Sequence, residues 1–84
     1  METNEVLREQ IIEVVENQIR DNKPKETNLT YKRLIGLGHS KTDSKELIAQ
    51  CMTLELFDVL KHKKQFNDIR YIDNLRKLPK DPFN

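Results

Sequence analysis

Four side chains of this 84-residue sequence could do acid–base or metal chemistry: His39, Glu55, Asp58 and His62. On a helix, Asp58 and His62 stand four apart and are near enough to interact. Glu55 and His62, seven apart, share a face two turns distant. Helical projection also sets Glu55 between Cys51 and Val59, on the flank of an apolar stripe, and a partly buried carboxylate needs a partner. His39, a lysine or arginine from another helix, or a capping backbone group would each serve. A carboxylate-bridged metal bundle presents glutamate with histidine three residues later on paired helices, and the chain has no Glu-x-x-His. The favoured reading of Glu55 is a structural polar contact. No metal or cofactor is expected, and a small metal-binding or catalytic site around Glu55 and His39 is kept as an alternative.

Cys51 has no charged neighbour in sequence and no second cysteine to pair with, so it reads as a small buried hydrophobe. Neither a nucleophile elbow nor a phosphate-binding glycine loop occurs. The expectation is a protein that is not an enzyme. A second chemistry is nucleic-acid association, because Lys61, Lys63, Lys64, Arg70, Arg76, Lys77 and Lys80 gather in the C-terminal third with Phe66 and Tyr71 among them. Helix-end charge is the simpler use of these residues, and the aromatics have a local structural role.

Around Gly38-His39-Ser40 the chain has the outline of a helix-turn-helix, but Leu34 falls where a small residue should let the helices cross. Ser44 falls where an apolar residue should anchor the second helix, which is itself apolar nearly all round instead of offering a polar face to DNA. The helix–Leu-Gly–helix outline also resembles the small ubiquitin-associated type of domain, in shape alone, since His39 stands where that type carries an apolar or aromatic contact residue.

The elements that must position these residues read as four helices. Leu7, Ile11, Val15 and Ile19 step by four, with Ile12 and Val14 widening the stripe, which predicts a helix over 4–21. Glu5, Glu9, Glu13 and Glu16 form an acidic ridge away from much of it. Asn22-Lys23-Pro24 ends that helix, and Pro24 opens a second over 24–37 with Tyr31, Leu34 and Ile35 facing inward. Asp43-Ser44-Lys45-Glu46 reads as a capping box for a long third helix over 44–63, the most buried element. Phe66, Asn67 and Tyr71 read as a staple and cap for a short fourth helix over 68–77 with Ile69, Ile72 and Leu75 inside. Residues 79–84 form a tail. The predicted fold is all-α, a compact four-helix domain with short connections, long first and third helices and a short fourth.

A chain this short builds a thin core and one cysteine allows no internal disulfide, so self-association is an economical way to bury more apolar surface, and a homodimer is expected. Charge is polarised: residues 1–60 carry 8 basic and 11 acidic side chains, residues 61–84 carry 7 and 3. No apolar run approaches the length of a signal core or a membrane span, so a cytoplasmic location without a membrane partner is expected.

From about Asn22 to Pro79 the chain resembles a family of small bacterial proteins of uncharacterised function. Leu34, Gly38-His39-Ser40 with an acidic residue opening the next helix, Leu47-Ile48-Ala49, Glu55, Phe66-Asn67, Tyr71-Ile72 and Leu75-Arg76-Lys77-Leu78-Pro79 carry the likeness. Members often have Glu-Ala or His-Glu-Ala where this chain has Thr42-Asp43-Ser44, so no role for that histidine carries over. The resemblance implies an all-helical fold and a bacterial cytoplasmic setting, and supplies no activity. The sequence thus points to a protein–protein interaction or self-associating module with an unknown protein partner. Its candidate polar or interaction residues are His39, Glu55, His62, Lys63, Lys64, Arg70 and Arg76.

Overall fold

A computed structural model describes residues 2–80, with side chains from Val6 onward. Four helices follow one another: α1 (Glu2–Asp21), α2 (Lys25–Gly36), α3 (Lys41–His62) and α4 (Asp68–Lys77). The all-α architecture and the proportions of the helices match the sequence reading. No helix among the described residues is long and apolar enough to cross a membrane.

The helix ends follow local chemistry. Asn22, at φ 56°, leaves α1 in a left-handed turn, and the Lys23 N–H returns to the Gln18 carbonyl at 3.2 Å. Pro24 stands as the residue before α2, one position earlier than predicted. Gly38, at φ +104°, closes α2, with the His39 N–H bonded to the Leu34 carbonyl at 3.1 Å. A side chain at position 38 meets no neighbour within 4 Å, so only backbone strain opposes it. Gly38→Ala is expected to cost about 1 to 2 kcal/mol of unfolding free energy, measurable by urea titration.

The start of α3 is three residues earlier than the sequence indicated. Ser40 is the cap, its hydroxyl accepting the Asp43 N–H at 3.0 Å, and Lys41 is already helical. Ser40-Lys41-Thr42-Asp43 also carries a short acceptor followed by an acid, and it directly follows the Gly38 turn, so it captures the helix first. At the other end Lys63 takes the left-handed conformation, φ 52°. α4 begins where predicted, with the Asn67 side chain accepting the Arg70 N–H at 3.0 Å, and the Phe66 and Tyr71 rings meet edge to face at 5.6 Å.

Val15, Leu34, Ile48, Ala49, Cys51, Met52, Tyr71, Leu75 and Leu78 form the core. α2 and α3 each touch all three other helices, while α1 and α4 make no close backbone approach to each other. The inner face of α4 differs from expectation: Tyr71, Leu75 and Leu78 are buried, Ile72 is half-buried, and Ile69 points to solvent at 83% exposure. Burying the Tyr71 ring turns Ile69 outward, because residues two apart cannot share one helix face. Ile35 likewise lies outside the α2 interior, where Thr27 and Thr30 are buried instead. The C-terminal segment folds back through a turn at 78–80 that buries Leu78; the rest of the predicted tail, 81–84, lies outside the described residues.

Candidate functional site

The buried carboxylate that the sequence flagged is present. Glu55 is 1% exposed, projecting from α3 toward α4. The Asn67 cap starts α4 so that Arg70 falls in its first turn, and the guanidinium reaches back across the two helices. Arg70 Nε donates to Glu55 Oε2 at 2.6 Å and Nη2 to Glu55 Oε1 at 3.0 Å. Nη2 also donates to Asp58, one turn further along α3. A planar two-pronged donor on a buried carboxylate is the strongest form of charge-assisted pairing available to side chains. The hydrogen bonds to Glu55 and then Asp58 raise the Arg70 pKa further above its already high value, and the bond from Arg70 holds the Asp58 carboxyl below the usual carboxylate range.

This pairing decides between the partners proposed for Glu55. The arginine from another helix takes both oxygens, and His39 does not enter the network. His39 stays at the α2–α3 corner, half-buried, with its backbone held by Leu34. His62 sits at the exposed end of α3 with its ring 5.8 Å from that of Phe57, edge to face. His39, Glu55 and His62 are therefore three separate positions. No group of three His, Cys, Asp or Glu side chains among the described residues is placed to hold a metal ion. Lys63 and Lys64 are exposed beyond α3, and Arg70 and Arg76 border a shallow depression over Ile69 and Ile72. Cys51 is buried and unpaired, its thiol pushed up to about 12 chiefly by burial, which leaves it protonated and inert near neutrality.

Two further polar networks were missed in the sequence. Tyr71 and Thr27 both donate to the Gln18 side-chain oxygen, at 2.7 Å and 2.9 Å, tying α4, α2 and α1 together inside the core. Burial pushes the Tyr71 phenol up to about 12. Arg33 of α2 donates to the carbonyls of Leu78 at 2.7 Å and Leu75 at 2.9 Å, covering the open end of α4. Gln18, Thr27 and Arg33 carry no local signal of these contacts, because every partner is at least nine residues away. Ser44, where the helix-turn-helix comparison asked for an apolar anchor, is fully buried with its hydroxyl unpartnered.

Surface clefts are shallow. The depression between α1 and α3, about 240 Å³, is lined by Arg8, Ile12, Glu46, Ala49, Gln50 and Thr53, and the Arg8–Glu46 ion pair spans it. No family model, curated protein or solved structure matches the chain. Function must therefore be argued from this geometry. It offers a paired buried carboxylate, inert Cys51, and several large apolar side chains facing solvent: Val6, Leu7, Val14, Leu29, Leu37, Phe57, Leu60 and Ile69 are all more than 40% exposed.

Proposed function

We propose that the protein works by binding, as a non-enzymatic protein–protein interaction or self-associating module of the bacterial cytoplasm. One observation carries this reading: an apolar seam on α1 is left without a covering helix. Leu7, Ile11, Val14 and Gln18 follow one another by four, three and four residues, which puts them on one stripe. At its C-terminal end the stripe faces α4, since Gln18 bonds Tyr71. Further toward the N-terminus α4 is absent, and Leu7 and Val14 stand 44% and 41% exposed on either side of half-buried Ile11. Scattered surface leucines need no explanation, but a continuous stripe at helical spacing is how helices recognise helices.

The polar residues favour the same reading. Arg70 is occupied by Glu55 and Asp58, and Lys77 by Asp73 at 2.9 Å. This leaves a nucleic-acid role to the lysines at the end of α3, Arg76 and Lys80. Affinity capture with mass spectrometry, using the wild-type chain and Val14→Glu as paired baits, tests the proposal. Partners, including untagged copies of the chain itself, should be held by the first and lost from the second. Identical captures would remove the seam as the carrier of function. Salt-sensitive gel retardation of nucleic acid, abolished when Lys63, Lys64 and Arg76 become Glu, would move the function to residues 61–80.

A further inference from the structure

We infer that the turn closing α3 is a second docking surface, and that its occupant is an acidic segment of a partner protein that also carries apolar side chains. The inference rests on the binding reading above and adds a separate surface and the chemistry of the partner.

The turn between α3 and α4 holds backbone strain. Lys63 takes φ 52° and ψ 35°, in the left-handed region, and the N–H groups of Lys63 and Lys64 both return to the Asp58 carbonyl. Glycine is the usual residue at such a position, because an L side chain crowds its own backbone there. The chain uses Gly38 for this purpose at the end of α2, and Asn22, at the end of α1, is of a type that tolerates it. Lysine gains nothing from the geometry. Nor does the helix dipole ask for it, since Lys61 already stands in the last turn of α3. A strained lysine where glycine would fit points to a use for its side chain.

The surroundings say what that use is. Lys61, Lys63 and Lys64 are all exposed, and none forms an ion pair with any described residue. The closest α3 carboxylates in sequence, Asp58 and Glu55, are held by Arg70. Phe57, with Leu60 and Lys61 three and four residues on, marks one outer face of α3, where Phe57 is 50% and Leu60 71% exposed. The end of α3 thus sets two solvent-facing apolar side chains beside three lysines that have no internal partner.

Positive charge selects an anionic partner, and the apolar side chains narrow its class. Single-stranded nucleic acid binds where lysines flank open aromatic faces on which bases stack. The one aromatic ring of this patch already meets His62 edge to face, and its neighbour Leu60 is aliphatic. A bilayer is held by a broad apolar face edged with basic residues, whereas the outer face of α3 turns polar one turn earlier, at exposed Gln50 and Thr53. An acidic peptide with apolar residues at helical spacing meets the lysines and the Phe57–Leu60 pair in one small contact.

Fluorescence anisotropy of the full chain tests this, the probe being a short labelled peptide of glutamates with leucines at helical spacing. The wild type should bind it, more weakly as salt is added, and should bind neither the lysine-for-glutamate peptide nor the serine-for-leucine one. Leu60→Ser should weaken binding about tenfold. Lys63→Gly should act in opposite directions on two readouts: affinity falls by about twofold to fivefold, while the urea midpoint rises because the strain is relieved. A gain in stability with no loss of affinity would reduce Lys63 to a helix-closing residue and overturn the inference. So would a wild type that does not bind at hundreds of micromolar, or Leu60→Ser binding as the wild type does. Preferential binding of oligothymidylate or of phosphatidylglycerol vesicles overturns the assignment to a protein partner. The seam stands or falls separately, because it is read at Val14 and this surface at Leu60 and Lys63.

Discussion

Arg70→Met will lower the unfolding free energy by about 3 to 5 kcal/mol, because it strands the Glu55 carboxylate in the interior without a counter-charge. A domain of this length has roughly 4 to 13 kcal/mol in total, so the loss is a large fraction of its stability and should appear as a clearly lowered urea midpoint followed by circular dichroism. The loss reflects an orphaned charge and not the net worth of the pair. Glu55→Met combined with Arg70→Met should therefore recover most of the stability, since an apolar pair of similar volume avoids desolvating two ions. A double variant as unstable as the single one would mean that Arg70 acts mainly through other contacts.

The same network sets an acid limit. Arg70 lowers the folded-state pKa of Asp58, so its contribution is present at pH values above the ordinary carboxylate range and is lost as pH falls through the lowered folded value. Stability of the wild type should decline on acidification more steeply than that of Asp58→Asn.

Leu75→Ala is expected to cost about 2 to 5 kcal/mol, whereas Ile69→Ala, six residues away on the same ten-residue helix, should change stability by less than about 0.5 kcal/mol. Leu75 is fully buried, and truncation there removes apolar contact and leaves a cavity beside Tyr71 and Leu34 that the surrounding helices cannot close. Ile69 is 83% exposed and has no packing to lose. Urea titrations of the two variants decide the register of α4 on the core. Equal losses would return Ile69 to the inside and place Tyr71 wrongly.

That contrast shows where sequence reasoning succeeds. The helices were legible because their signals are local: apolar residues at helical spacing, Pro24 and Gly38 as breaks, and Asn67 as a cap. The need of Glu55 for a partner was legible too, since the flank of an apolar stripe can be projected from the sequence alone. The partner's identity was not, because Arg70 lies fifteen residues on, in another helix, among seven basic residues that look alike as letters. Ile69, Ile72 and Leu75 make an acceptable stripe at spacing three. The competing stripe of Tyr71, Leu75 and Leu78 wins by burying a larger ring that finds a polar partner in Gln18. For α3 the sequence reading took Asp43 as the cap, whereas Ser40, which carries an acid at the same spacing and directly follows the Gly38 turn, is the cap in the structure.

The Arg33 clamp gives α4 a property that its length alone would deny it. A ten-residue helix is too short to persist by itself in water. With its first turn held by Asn67 and its last carbonyls held by a side chain of α2, it has no free end from which to unravel. Local opening of α4 must break the Arg33 hydrogen bonds and expose Leu78, so it costs more than the fraying of an unclamped helix of the same length. The exposed stripe of Leu7 and Val14 takes no part in that clamp. The surface proposed for binding thus lies apart from the clamp that holds the end of α4.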